Sequence, residues 1–530
     1  MPKVLVTDSL APQGFEILER APGIEVVDAP GMEPAQLLEA IADADALIIR
    51  SATQVTAEVI AAAKQLSVVG RAGIGVDNVD VGAATARGIV VMNTPGGNTI
   101  TTAEHAIALL VALARHIPQA TASMKAGKWD KKGFVGMELY NRTLGVIGLG
   151  NIGRVVAQRA RGLGMKVVAY DPFLSVEAAA KQEVELLDLD TLLARADALS
   201  VHVPRTPDTV GLLGRAAFAR VKRGVLLVNA ARGGIVDEPA LVEALDAGQV
   251  AGAALDVFEE EPPPAGHPLV AHPRVICTPH LGASTEQAQV NVAIAVAEQV
   301  RDYLVGGVIN NAVNVPSISK ELAARIRPYL VLGEKLGRFQ GQLCKGSIDQ
   351  IEIEYSGTAA ELDVAPITVA VLKGLLEPVT DSVNMVNAPV IAQQHGIKVI
   401  ESKASRTADF ASAITTRVAG EGCGVRLIMG AVFEGRQGRI VRIDDFMLEA
   451  IPEGATLLIH NRDTPGVVGA VGTLLGNAGI NISRMQLALH PKRAEAAMLV
   501  NVSHAPSQQV VEALRAMPNT ISVQVLELGS

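Results

Sequence analysis

Residues 148–153 read GLGNIG, and this stretch decides the fold. It follows the apolar run LGVI (144–147) and precedes the helical pattern RVVAQRARGL (154–163). A glycine pattern of this kind is specific only when a strand precedes it, a helix follows it and an acidic residue lies about 20 positions on. Asp171, at the end of the next apolar run, meets the last requirement. The stretch therefore predicts the dinucleotide-binding turn of a Rossmann domain.

Each glycine of this turn has its own physical role. Gly148 permits the tight turn, Gly150 lets the backbone approach a pyrophosphate, and Gly153 lets the helix pack closely on the strand. The pyrophosphate then lies at the helix N-terminus, against free N–H groups and the positive end of the helix dipole. Asp171 can accept hydrogen bonds from both ribose hydroxyls and would repel a 2′-phosphate. This favours NAD over NADP, unless a basic group beyond the strand compensates.

Apolar runs alternate with helical patterns on both sides of the turn, which predicts parallel sheets covered by helices. In the first part of the chain the predicted strands are 4–7, 46–49, 68–70 and 89–92. Around the glycine turn they are 144–148, 167–170, 198–203, 225–229, 253–257 and 275–278. From about residue 317 the pattern is mixed, and the last stretch, from 453 on, reads β-α-β-β-α-β, a split βαβ arrangement.

The composition excludes several classes of protein. Of 530 residues, 49% are hydrophobic and 19% charged, which excludes a disordered chain. The net charge of −9 argues against a nucleic-acid partner. The longest apolar run, 106–114, is too short for a bilayer, which needs about 20 residues, and the N-terminus has no signal-peptide pattern. Three distant cysteines predict neither a disulfide framework nor a metal site. We expect a cytoplasmic protein with no membrane partner.

Three segments that follow later strands contain side chains suited to oxidising a secondary alcohol. Arg232 lies in NAARGG, Glu261 in DVFEEEP and His280 in TPHLGAST. His280 can take the hydroxyl proton near neutral pH, and a carboxylate beside it would fix its tautomer. Arg232 can hold a substrate carboxylate with two parallel hydrogen bonds. Singly, each has an ordinary interpretation: a salt-bridge partner, a solvated charge and a helix cap. We interpret His105, on an apolar helix, as packing.

Two further arginines follow strands of the first sheet. Arg50 precedes Ser51 after the strand ALII, and Arg71 begins the stretch RAGIG, which contains Gly73 and Ile74. Both arginines therefore point towards the same cleft as the second sheet. Two arginines beyond Arg232 suit an additional phosphate, which prefers planar bidentate donors. The alternative is that one of them only bridges loops.

The series GLGNIG, YDP, NAARGGIVDE, ALDVFEEEP and TPHLGAST resembles the D-isomer-specific 2-hydroxyacid dehydrogenases. The resemblance implies that Arg232, Glu261 and His280 are catalytic and that Arg50, Ser51, Arg71, Gly73 and Ile74 bind substrate. The cofactor contacts that it implies are Gly148, Gly150, Asn151, Ile152, Gly153, Asp171, Thr206, Ala230, Ala231, Arg232, Asp256, His280, Leu281, Gly282 and Ala283.

The whole chain resembles the long members of that family, which end in an ACT domain. The implied fold class is α/β, with a Rossmann NAD-binding domain (98–280) inserted in a flavodoxin-like substrate-binding domain (1–97 and 281–315). An α+β intervening regulatory domain (316–452) and a ferredoxin-like ACT domain (453–530) follow. Arg436, Arg439 and Arg442 are candidates for a second anion site in the intervening domain, although such spacing more often marks a solvated face.

The C-terminal unit contains a turn, HNRDTPGV (460–467), that can bind an amino acid. Asp463 can accept hydrogen bonds from an ammonium group, and the amides of Asn461 and Asn481 can bind either end. The resemblance implies that these residues hold L-serine at an interface between two ACT domains, in a homotetramer. The alternative is a dimerisation domain without a ligand.

Together with the two additional arginines, the resemblance implies NAD-dependent oxidation of D-3-phosphoglycerate to 3-phosphohydroxypyruvate, the first step of L-serine biosynthesis. One alternative is another D-2-hydroxyacid dehydrogenase, acting on hydroxypyruvate, glyoxylate or 2-hydroxyglutarate. A second alternative, from a different class, is a NAD-sensing protein resembling a corepressor. The arginine–glutamate–histidine set and the ACT unit argue against the second alternative, and the ACT unit and Arg50 argue against the first.

Overall fold

A computed structural model describes residues 1–529 of the chain, apart from 317–319, 381–382, 405–409, 422 and 434. The strands of this described part form four sheets. Two of them are wholly parallel and lie in the first 280 residues, as the alternating apolar runs predict. The predicted fold class is confirmed, and the details below are those that position the candidate site.

The first sheet is parallel, with strand order β2-β1-β3-β4-β5. Its elements are β1 Lys3–Val6, α1 Pro12–Glu19, β2 Glu25–Asp28, α2 Pro34–Ala40, β3 Ala46–Ile49, α3 Ala57–Ala62, β4 Val68–Arg71, α4 Val81–Ala86 and β5 Val90–Met92. The central strands are apolar at successive residues because helices cover both faces of the sheet. The sequence analysis missed β2, since this edge strand is short and only half-buried.

The second sheet is parallel, with order β12-β11-β10-β9-β6-β7-β8. Its elements are α5 Thr99–Ala114, α6 Ile117–Lys125, β6 Thr143–Ile147, α7 Asn151–Gly162, β7 Lys166–Tyr170, α8 Val176–Ala180, β8 Glu185–Leu186, α9 Leu189–Arg195, β9 Ala198–Val201, α10 Arg215–Phe218, β10 Val225–Asn229, α11 Glu238–Asp246, β11 Val250–Leu255, α12 Pro268–Ala271 and β12 Val275–Cys277. Six strands were predicted, and the seventh, β8, is a two-residue edge strand that leaves no periodic signal.

After the second sheet the chain returns to the first. Helix α13, Glu286–Gly306, begins where the Thr285 side chain accepts a hydrogen bond from the Ala288 N–H. Its residues Val292, Val296 and Val300 are buried in one core with strands of the first sheet. The first sheet is therefore covered partly by a helix that follows the second sheet in sequence, and a cleft lies between the two sheets.

The third sheet is mixed and belongs to the segment that follows α13. Its elements are α14 Lys320–Leu343, β13 Gln350–Gly357, α15 Ala365–Leu376, α16 Ala388–Gln394, β14 Lys398–Ala404, β15 Ser412–Gly420, β16 Gly424–Phe433, β17 Gln437–Ile443 and β18 Phe446–Ala450. Cys344 and Cys423 form a disulfide, with Cα atoms 4.6 Å apart. The expectation that the three distant cysteines provide no disulfide framework is wrong for this pair, because Cys344, directly after α14, lies beside Cys423, directly before β16.

The fourth sheet is antiparallel, with order β20-β21-β19-β22. Its elements are β19 Ala455–Arg462, α17 Val467–Asn477, β20 Ile482–Leu489, β21 Glu495–Val502, α18 Gln508–Ala516 and β22 Thr520–Glu527. This is the predicted β-α-β-β-α-β unit. The Gln342 side chain on α14 donates to the Glu527 carbonyl and accepts from the Glu527 N–H, which ties this sheet to the third.

Across the described ranges, no single helix is both long and apolar enough to cross a membrane. The bent pair α5 and α6, at 62° to each other, passes the same test of length and composition only when the two helices are joined. Helix α5 buries residues such as Leu110 and Leu113 against the second sheet.

Candidate active site

The glycine turn after β6 has the backbone geometry that a bound pyrophosphate requires. Gly148 has φ 91°, in the left-handed region that favours glycine. A Cβ atom added at Gly153 would lie 2.0 Å from the Gly148 carbonyl oxygen, so only glycine allows α7 to approach β6 this closely. Gly150 precedes α7 and faces open space. The free N–H groups of Asn151 and Ile152, at the start of α7, can therefore receive a phosphate, and the site fits NAD.

Asp171 lies at the end of β7, directly beside the glycine turn. One carboxylate oxygen accepts from the Leu149 N–H at 2.9 Å, and the other accepts from the Phe173 N–H at 3.0 Å. The carboxylate is therefore fixed beside the glycine turn. Thr206, in the loop after β9, is held by Thr209, whose Oγ accepts from the Thr206 N–H.

The turn after β10 presents Ala230, Ala231 and Arg232. The buried Asn229 side chain closes it, because its amide donates to the Arg232 carbonyl and its oxygen accepts from the Ala231 N–H. The Arg232 guanidinium bonds to the Ala231 carbonyl and, through Nε, to Asp77 at 2.8 Å. Asp77 follows β4, so this ion pair joins the two halves of the cleft.

His280 and Glu261 form a hydrogen-bonded pair, as the sequence predicts. His280 Nδ1 lies 2.7 Å from Glu261 Oε2, and Glu261 Oε1 accepts from the Phe258 N–H. Because an ionised carboxylate can only accept, Nδ1 carries the hydrogen, and Nε2 of the neutral ring is free to take a proton. Burial would raise the pKa of the Glu261 carboxyl, but hydrogen bonds from His280 and Phe258 outweigh it, and the pKa lies below its ordinary value.

The backbone of His280 is strained, with φ 54°. Such a conformation costs a residue other than glycine about 1–3 kcal/mol, so the surroundings must hold it. The His280 N–H donates to the Asp256 carbonyl at 2.9 Å. The buried Asp256 carboxylate accepts from Thr278 Oγ at 2.5 Å, the Leu281 N–H at 2.7 Å and the Gly282 N–H at 2.8 Å. The turn that carries His280 is thus anchored on Asp256.

The cleft has a volume of about 620 Å³ and is lined from both sheets. Its walls include Arg50, Ser51, Arg71, Gly73, Asp256, Glu261, His280 and Ala283. Arg232 and Ile74 do not line it directly, although the charge of Arg232 reaches Arg71. Burial and the charges of Arg232 and Arg50 lower the pKa of Arg71 to about 10. Its buried Nε has no hydrogen-bond partner among the described residues and is available to an anion.

Two further polar residues shape this cleft: Asp8, to which the sequence assigns no role, and Asn98, which lies in a segment that the sequence suggests as a wall or hinge element. Asp8, buried after β1, accepts from the backbone N–H groups of Arg50, Ala52 and Thr53 and so fixes the turn that presents Arg50. Asn98 lines the cleft, and its buried Oδ1 lacks a hydrogen-bond partner in the described part of the chain. The sequence signal for Asn98 is its position, one residue before helix α5.

The three predicted effector residues do not lie together within one chain. Asn461 lies in the last residues of β19 and Asp463 directly follows that strand, whereas Asn481 precedes β20. Both strands are antiparallel to β21, so β20 starts near the beginning of β19. Asn461 is level with Ala496 of β21 and Asn481 with Ser503, so the two positions are about seven residues, or roughly 23 Å, apart along the sheet. The buried Asn461 Oδ1 also lacks a partner among the described residues.

No group of three or more His, Cys, Asp or Glu side chains in the described ranges is arranged to hold a metal ion.

Three family models match consecutive parts of the chain. Residues 107–282 match the NAD binding domain of D-isomer specific 2-hydroxyacid dehydrogenases, 325–444 the D-3-phosphoglycerate dehydrogenase intervening domain, and 455–519 the ACT domain. A TT0316 protein from Thermus thermophilus shares 39% identity at a TM-score of 0.55, over 59% of this chain and 99% of its own. An NAD-dependent formate dehydrogenase from Staphylococcus aureus, solved in complex with NAD, shares 28% identity at a TM-score of 0.54, over 60% of this chain and 100% of its own. The fold and the site thus define an NAD-dependent 2-hydroxyacid dehydrogenase.

Full-length relatives identify the family within that class. D-3-phosphoglycerate dehydrogenase from Methanocaldococcus jannaschii is 44% identical over all of both chains. The protein of the same name from Bacillus subtilis is 42% identical over 99% of each chain. The chain belongs to the D-3-phosphoglycerate dehydrogenase family.

We expect Asp171→Ala to weaken NAD binding about 10- to 100-fold, because a hydrogen bond to a charged group contributes about 1.5–3 kcal/mol. The substitution should also reduce the ratio of the affinity for NAD to that for NADP. Damage to the turn alone would weaken the binding of both dinucleotides and leave this ratio unchanged. Calorimetric titration with each dinucleotide measures both effects. Asp188→Ala is the matched control, since Asp188 only caps α9. Unchanged NAD affinity in Asp171→Ala would remove this role.

Proposed function

We propose that the chain oxidises D-3-phosphoglycerate to 3-phosphohydroxypyruvate with NAD, as the first step of L-serine biosynthesis. One observation carries the proposal: the His280–Glu261 pair, at 2.7 Å, opens into the same cleft as Arg50 and Arg71. A base for a hydroxyl and two cations for an anion therefore share one small-molecule site. The full-length relatives with this activity in their names support the same substrate.

His280 acts as the general base in this proposal. Its Nε2 takes the proton of the substrate hydroxyl, while Glu261 holds Nδ1–H and stabilises the imidazolium that forms. Bound NAD supplies the acceptor for the hydride. Both histidine and glutamate are half-exposed, so the pair can be reached by substrate without rearrangement of the turn.

The three arginines bind the two anionic groups of the substrate. Arg232 takes the carboxylate, which then replaces Asp77 as its ionic partner. Arg50 and Arg71 take the phosphate, and the unpartnered Nε of Arg71 is one of the donors. Ser51 and the backbone at Gly73 line the same wall.

The test of the function is kcat/KM for D-3-phosphoglycerate, measured against unphosphorylated D-hydroxy acids. We expect His280→Gln to lower kcat by about 10²–10⁴ while NAD binding is kept, because loss of a general base costs this much. His395→Gln, a substitution of an exposed histidine after α16, is the control. A preference for glyoxylate, hydroxypyruvate or 2-hydroxyglutarate would indicate another dehydrogenase. NAD binding without turnover of any hydroxy acid would indicate a sensor.

The role of Arg50 is tested by its effect on two classes of substrate. Arg50→Ala should raise KM for D-3-phosphoglycerate roughly 10-fold or more and leave an unphosphorylated analogue almost unaffected, because only the former carries the phosphate. Arg20→Ala removes an exposed arginine of the same domain and serves as control. Equal losses for both substrates would show that Arg50 only bridges loops.

We further propose a homotetramer in the cytoplasm, inhibited by L-serine at ACT domain interfaces. Several large apolar side chains of the segment 117–140, such as Trp129 and Val135, are exposed, as a subunit interface would require. The opposite placement of Asn461 and Asn481 favours a serine site shared by two chains, with Asp463 and Asn461 from one and Asn481 from the other.

Serine inhibition should be lost in Asp463→Ala and in Asn481→Ala, with kcat unchanged. Mixed oligomers of these two variants should recover part of the inhibition, since one of the two sites at each mixed interface then has both residues intact. Activity assays with and without L-serine measure this, and each variant alone is the control. Failure of mixed oligomers to recover inhibition would contradict a shared site.

A further inference from the structure

His105 makes a polar contact that is not expected from its position on an apolar helix. It lies on α5, and its side chain is largely buried. Nε2 is 3.1 Å from Asp256 Oδ1 and 3.2 Å from Thr278 Oγ. The interpretation of His105 as simple packing is therefore wrong.

The hydrogen positions in this contact follow from the partners. Thr278 donates its hydroxyl hydrogen to Asp256 Oδ1, and an ionised carboxylate can only accept. Both groups therefore offer lone pairs to His105, so Nε2 must carry the hydrogen and share it between them. His105 is a donor to the anchor on which the strained His280 turn rests.

The carboxylate that receives this bond is a buried charge. A buried charge needs donors to remain ionised, and Asp256 has the threonine hydroxyl, two backbone N–H groups and His105. Burial would raise the pKa of Asp256, but the hydrogen bonds from His105 and Thr278 outweigh it, and the pKa lies below its ordinary value. His105 is the only member of this set that comes from α5, since the others belong to the turn itself.

We propose that His105 is a positioning residue for the reaction: it holds the Asp256 carboxylate and Thr278 so that the turn keeps the His280 ring in place. This inference rests on the proposed function for its kinetic consequence. The contact joins α5 to the ends of β11 and β12, across 151 and 173 residues of sequence, and so ties the turn to the body of the domain.

Three variants separate positioning from packing. His105→Phe keeps the ring and removes the donor, whereas His105→Gln places an amide N–H near the position of Nε2. His272→Phe is the matched control, because His272 lines the same pocket of about 550 Å³ behind the turn but pairs with Asp246 instead. All three should fold, which thermal unfolding verifies.

In His105→Phe we expect kcat for D-3-phosphoglycerate to fall on the order of 10- to 100-fold, with KM within about twofold, because the arginines are untouched. His105→Gln should recover most of the loss, and His272→Phe should behave as wild type. An unchanged kcat in His105→Phe would overturn the inference. If kcat fell as far in His105→Gln or in His272→Phe as in His105→Phe, the role of His105 would be packing alone.

A second measurement needs no substrate. Amide hydrogen exchange in residues 277–285 should be faster in His105→Phe than in wild type and unchanged in His272→Phe, since Leu281 and Gly282 donate to the Asp256 carboxylate. If exchange is faster in His105→Phe but the wild-type protein does not oxidise D-3-phosphoglycerate, the proposed function is contradicted and the structural role of His105 is supported. Unchanged exchange would overturn that role.

Discussion

The geometry of the active site depends on one buried charge, the carboxylate of Asp256. It follows β11, and it receives hydrogen bonds from the turn that follows the neighbouring strand β12. The two strands are parallel, with Leu255 opposite Cys277, so their ends necessarily meet at one edge of the sheet. A charge at this depth must be satisfied, and its donors are the His105 ring together with the Thr278 hydroxyl and two N–H groups of the His280 turn. The register of the two strands thereby fixes where the His280 ring lies.

Residues with local signals were predictable, and residues whose partners lie far away in sequence were not. The strands β3 and β10 have the predicted bounds, because each contains an uninterrupted apolar run with a polar segment or turn after it. The polar strand β14, KVIESKA, was missed because its side chains are mostly exposed and give no apolar run. The glycine turn and the His280–Glu261 pair were found from motifs. The Cys344–Cys423 disulfide and the His105 contact depend on separations of 79 and 151 residues, which no local pattern encodes.

The intervening domain contacts the structures on both sides of it. On one side Gln342 exchanges two hydrogen bonds with the backbone of Glu527, in the last strand of the ACT domain. On the other side Asn384 donates to the Gly88 carbonyl, in the turn between α4 and β5 of the first sheet, and Val386 enters the core of that sheet. The first sheet also provides Arg50 and Arg71. The intervening domain is thus in direct contact with both the ACT domain and the sheet that provides Arg50 and Arg71.

The ion pair between Arg232 and Asp77 joins the two sheets. It spans the cleft between the two sheets, and its Asp77 side is more than half-exposed. Pairs of this kind contribute about 0–1 kcal/mol, because water competes for both charges. A carboxylate bound by two parallel charge-assisted hydrogen bonds gains more than this, particularly once the cleft excludes water. Asp77 therefore holds the guanidinium too weakly to compete with a carboxylate bound in this way. In the proposed function, the substrate carboxylate replaces Asp77 and so alters an ionic contact that joins Arg232 to the opposite wall.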